Sequence, residues 1–127
     1  DFIEMPSPQQ FTGTPTSSPT EAYHAVLLHE LIHWTGAARR IGRTFGSRFG
    51  DRDYAFEELV AELGAAFLCS AFRIVNHPRP DHAAYIASWL KVLKSDPRAI
   101  FTAASKAQQA ADWMHAQQPR AVKDEAA

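Results

Sequence analysis

His29-Glu30-Leu31-Ile32-His33 reads H-E-x-x-H, and the fold follows from how that segment has to sit. Histidines four residues apart lie one turn apart on one helix face, so both imidazoles can reach a single metal ion. Glu30 lies beside that face, where a carboxylate can take a proton from a water activated by the metal. The pattern is that of a helix holding a catalytic zinc ion, and it points to a metal-dependent hydrolase or a descendant of one.

The flanking residues mark out that helix. Ser18 can cap it, Pro19 suits the first helical position, and Glu21 completes a capping box with Ser18. The helix is expected over residues 20–35, with Gly36 as a left-handed terminator. Ala25 to Leu28, Leu31, Ile32 and Trp34 make it apolar on nearly every face, so it reads as buried. Two histidines and a carboxylate are costly in such a helix unless a metal ion and its water satisfy them.

A second, largely apolar helix is expected over residues 53–74. Glu58 and Glu62 lie one turn apart on it and share a face with Ala65 and Cys69, small side chains that allow close approach to the first helix. If Glu58 joins His29 and His33 on the metal, both burial problems are solved together. Glu62 would then accept the ring N–H of a ligand histidine. Glu57 competes for the third-ligand position, but it lies about 100° round the helix and has Ala61 one turn on. The reading favours Glu58 as ligand and Glu57 as a surface or loop-facing residue. Cys69 sits about 16 Å farther along and reads as a small buried apolar side chain.

Length and composition frame this. The 127 residues suit one domain, and 46% apolar content is ordinary for a globular protein. No apolar run reaches the roughly 18 residues of a membrane span, and the start, Asp1 to Pro6, lacks the features of a signal peptide. The formal net charge of −1 argues neither for nor against nucleic acid. A single cysteine, Cys69, excludes an internal disulfide and fits a reducing compartment. A first residue that is Asp rather than Met suggests a fragment or a processed product.

With the acidic helix in place, a resemblance becomes specific. His29-Glu30-x-x-His33 followed by Glu58 and Glu62 resembles a gluzincin, the class whose third zinc ligand is a glutamate on the next helix. The strings Leu27 to Gly36, Arg48 to Asp51 and Tyr54 to Leu68, with Asp1 to Pro6 and Tyr85 to Leu90, resemble the zincin-like domain of ArdC-type antirestriction proteins. The same domain is similar to the front part of TraC-type plasmid primases. The resemblance covers residues 1 to about 114. It implies a zinc cofactor, a polypeptide substrate, and, in the full-length proteins, single-stranded DNA bound by a preceding N-terminal domain that this chain lacks. It also implies proteins of mobile elements that protect incoming DNA from restriction.

The fold expected is α+β and mostly helical: a zincin-like metallopeptidase fold with the H-E-x-x-H helix, the glutamate helix, a small sheet and two C-terminal helices. Residues 1–5 alternate and offer the one clear strand, an edge strand; residues 6–19 are loop. The C-terminal helices are expected over 81–95 and 97–117, closing a domain of residues 1–118 before a polar tail at 119–127. Tyr85, Ile86, Trp89, Leu90 and Leu93 form the core stripe of the first of these; Ile100, Ala103, Ala104, Ala107, Ala111 and Met114 face inward on the second. The arginine-rich stretch from Ala37 to Arg52 reads first as a solvated connection, since basic surface loops are common, and second as a phosphate- or substrate-contacting loop.

The chemistry expected is hydrolysis. His29, His33 and Glu58 bind zinc, and Glu30 passes a proton from the attacking water to the leaving amine. A donor for the developing oxyanion is also required. Tyr85 is the favoured catalytic candidate for it beside His82, with Tyr54 and His24 behind them. Two other readings compete: a catalytically silent, zinc-stabilised module that binds protein or DNA, and a metal-free helical domain.

Overall fold

The first helix starts where its cap places it. The Ser18 hydroxyl accepts the Glu21 N–H at 3.2 Å and the Glu21 carboxylate accepts the Ser18 N–H at 2.8 Å, with Pro19 in the first turn. The computed structural model describes residues 1–45, 51–74 and 83–119, except the side chains of 83–86 and 88. After a short 3-10 turn at Pro8–Gln10 come four helices: α1 Pro19–Thr35, α2 Arg52–Phe72, α3 Ala83–Ser95 and α4 Ala99–Ala116. None is long and apolar enough to cross a membrane.

α2 is the central element and touches each of the other three helices. Its Leu59, Val60, Ala61, Ala65, Leu68 and Cys69 meet Leu28 and Ile32 of α1 and Ala103, Ala107, Ala110 and Ala111 of α4. The alanine stripe recurs at helical spacing, so α4 presents small side chains to α2 and can lie close to it. On the other flank, Ala55 packs with Val92 of α3 and Ala99 of α4. Between α1 and α2 the approach is tighter still. A Cβ on Gly64 would stand 2.8 Å from Cδ1 of Ile32, a fully buried side chain next to His33. This contact sets how far the histidine face of α1 stands from the acidic face of α2.

Several expectations need correction. Residues 1–5 form no strand; the described residues hold only an isolated bridge between Thr14 and Ser17. An edge strand needs a neighbour to satisfy its backbone, and among the described residues none pairs with this segment. It is held by ion pairs instead, from Asp1 to Arg39 and Arg40. The described fold is therefore helical, and the small sheet is not seen in it. α1 is also less buried than its composition suggests, with only Leu28, Ile32 and Thr35 fully enclosed. Leu90 is half exposed rather than in the core. Asp96 accepts the Arg98 N–H at 3.0 Å in a turn that delays α4 to Ala99.

Gly36 ends α1, though not in the left-handed conformation. Its φ is −74°, open to any residue. The glycine is there for space: a Cβ would run into the Phe45 ring and stand 2.9 Å from Nη2 of Arg43. The left-handed cap belongs to α2, where Arg73 has φ 57°.

Candidate metal centre

α1 carries His29 and His33 one turn apart, and α2 sets Glu58 opposite both. The two Nε2 atoms are 3.1 Å apart. Glu58 Oε1 lies 3.3 Å from Nε2 of His33, and its Oε2 lies 3.6 Å from Nε2 of His29. Nitrogen and oxygen ligands at zinc distances in a tetrahedron stand about 3.4 Å from one another, close to these separations, so this donor set suits a zinc ion. His29, His33 and Glu58 are also the described acidic, histidine and cysteine side chains that cluster as a group able to hold a metal.

The outer nitrogens are occupied as well. Nδ1 of His29 lies 3.3 Å from Oε1 of Glu62, one turn beyond Glu58. Nδ1 of His33 lies 3.2 Å from Oε1 of Glu57. Each imidazole thus has a carboxylate on its far side, which turns both Nε2 atoms toward the same point.

Glu57 departs from expectation. It is buried, 3% exposed, rather than on the surface or facing a loop. It receives Arg43, with Nε 3.0 Å from Oε2 and Nη2 2.7 Å from Oε1. Arg43 also donates to the Ile32 carbonyl at 2.6 Å and to the Thr35 hydroxyl at 2.8 Å. The reading of this stretch as a solvated connection fails at Arg43, whose side chain is 3% exposed. Arg40 is paired with Asp1 and lies 3.6 Å over the Trp34 ring. Arg48 lies outside the described residues.

A cavity of about 260 Å³ opens beside the cluster, lined by Glu30, His33, Phe45, Tyr54, Glu57 and Glu58. Glu30 therefore faces the same space as His33 and Glu58. Of the oxyanion candidates, Tyr54 lines this cavity. His24 is exposed and turns its Nδ1 to the Thr20 carbonyl at 2.8 Å. His82 and the Tyr85 side chain lie outside the described residues.

Charge and burial compete in the cluster. Burial pushes His29 down, but Glu58 and Glu62 outweigh it and lift its pKa to about 9. His33 is likewise depressed by burial, yet raised overall by Glu57 and Glu58. Burial pushes Glu58 up, and the two histidines bring it down to about 2. A prediction follows for protein stripped with a chelator. The raised His29 contributes stability below its ordinary 6.5, lost as pH climbs through 9. The lowered Glu58 contributes stability above its ordinary 4.5, lost as pH falls toward 2. The metal-free protein should thus be most stable between about pH 4.5 and 6.5. Thermal unfolding across pH in chelator checks this; a midpoint still rising between pH 6.5 and 9 would contradict it.

With this geometry in hand, similarities to known proteins become informative. Residues 1–106 match a family described as zincin-like metallopeptidases. The chain is 58% identical over 125 residues to an uncharacterised protein, y4eC, of Sinorhizobium fredii, covering 98% of this chain and 39% of that protein. It is 37% identical over 125 residues to the DNA primase TraC of Escherichia coli, covering 98% of this chain and 11% of the primase. Crystal structures of the antirestriction protein ArdC from the R388 plasmid are similar too. The Mn(II)-bound form has a TM-score of 0.67 and 43% identity, over 76% of this chain and 36% of that one. The metal-free form has a TM-score of 0.64 and 48% identity, over 75% and 34%. The chain spans well under half the length of each of these relatives.

Proposed function

Since the chain belongs to the zincin-like metallopeptidase family, we propose that it is a zinc-dependent peptide-hydrolysing domain of an ArdC-like antirestriction protein. The observation that supports this best is the cluster of His29, His33 and Glu58 donor atoms, opening onto a cavity that Glu30 also lines. In this reading His29, His33 and Glu58 hold the zinc, and Glu62 accepts the Nδ1–H of His29. A zinc ion held there supplies Lewis acidity and makes water a nucleophile near neutral pH.

The remaining steps belong to the chain. Glu30 accepts the proton of the attacking water and returns it to the departing amine. Tyr54 is the hydroxyl in the cavity wall that suits the developing oxyanion, and Tyr85 of α3 is the other candidate for that role. The substrate is a polypeptide. In the full-length protein, single-stranded DNA would be held by a separate domain, and the setting is a bacterial cytoplasm.

The test begins with protein purified without added metal. Elemental analysis should find stoichiometric zinc. Cleavage of an unstructured protein such as casein should stop on chelation and return with zinc. Zinc without any cleavage would leave a zinc-stabilised binding module as the better reading.

A further inference from the structure

Arg43 and Glu57 take no part in the chemistry just described, yet both are buried against it. We propose that they form a positioning relay for the metal site: Glu57 fixes the His33 ring through Nδ1, and Arg43 fixes Glu57 while tying it to the last turn of α1. The inference rests on the metal-site reading of His29, His33 and Glu58.

Three observations carry it. The first is the match with Glu62, which occupies Nδ1 of His29 as Glu57 occupies Nδ1 of His33. A carboxylate there fixes the ring orientation and raises the basicity of the ligand nitrogen. The second is the cost of the arrangement. Side chains only 3% and 5% exposed give up hydration that an ion pair often fails to recover, so stability alone is a poor reason to bury this pair. All three guanidinium nitrogens are also engaged: both Glu57 oxygens, the Ile32 carbonyl and the Thr35 hydroxyl take its donors. Such a fork sets a direction as well as a charge. The third is Gly36, where any Cβ would intrude on Arg43 and Phe45. The backbone leaves room for that guanidinium. Through Arg43 the connection between α1 and α2 thereby reaches a ligand histidine.

Zinc affinity, measured by chelator competition, tests the relay in Glu57→Gln, Arg43→Lys and Gly36→Ala. Unfolding of each metal-free variant is followed in parallel, along with the visible spectrum of the Co(II)-substituted protein. Glu57→Gln should bind zinc roughly 10–100-fold more weakly, as Glu62→Gln should, because each removes one supporting carboxylate. Arg43→Lys keeps the charge and loses the fork; it and Gly36→Ala should weaken zinc less and shift the Co(II) bands. A purely structural tie would lower the unfolding temperature of the metal-free variants and leave affinity and spectrum alone. Variants that hold zinc within about twofold of the parent, with its Co(II) spectrum, overturn the relay while the metal reading stands. A parent that binds no zinc overturns both. Should Glu57→Gln fail to fold, the milder Arg43→Lys and Gly36→Ala decide by the same two readouts.

Discussion

Glu30→Gln should leave a folded, zinc-loaded protein that cleaves roughly 10²–10⁴-fold more slowly than the parent. Glu30 is not in the group of clustered donor atoms, so zinc does not depend on it. It does line the cavity that His33 and Glu58 also line, as the role of base requires. Glutamine keeps the shape and polarity of the side chain and loses the ability to take up a proton, so the change isolates the proton-transfer step. Zinc content and unfolding temperature should match the parent. A variant retaining activity within about tenfold of the parent would remove Glu30 from the role of base. The same variant separates chemistry from biology. If antirestriction activity of the proposed ArdC-like protein survives this change while cleavage is lost, peptide hydrolysis is not the biological role of the domain.

What was legible in the sequence was what a single helix can encode. The four-residue spacings of His29 with His33 and of Glu58 with Glu62 fix which side chains share a face, and burial then forces the two faces together. The structure brings those four side chains into one cluster. What was not legible depended on a partner far along the chain. The angle of Glu57 on its own helix carries no trace of a partner, and nothing in α2 foretells that Arg43 turns inward to meet it. Arg43 looked like one member of a basic loop, because a guanidinium buried by distant partners has the same sequence as a solvated one. Gly36 looked like a left-handed cap because that is the commonest reason for a glycine after a helix. A glycine kept for space leaves no local mark. The strand at residues 1–5 failed for a related reason: alternation allows a strand, but only a neighbour makes one.

His33→Ala should abolish the dependence of stability on zinc. His33 contributes a ring nitrogen 3.3 Å from Glu58 and 3.1 Å from the matching atom of His29, so its loss breaks the donor set on one side. Affinity should fall by more than the roughly 10–100-fold that losing a supporting carboxylate costs, since a ligand itself is gone. For the parent, zinc at a thousand times its dissociation constant adds about 4 kcal/mol to folding. In a chain of this size that raises the unfolding midpoint by roughly 10–20 °C. The variant should show almost none of that increase. Its metal-free form should differ much less from the metal-free parent. Glu57 keeps Arg43 and Glu58 keeps His29 as partners when the imidazole is removed, and His29 loses a like-charged neighbour. The contrast between the two states therefore carries the test. If His33→Ala lowers the midpoint by the same amount with zinc as with chelator, the histidine is a packing residue. In that case a metal-free helical domain describes this chain better than a metal centre does.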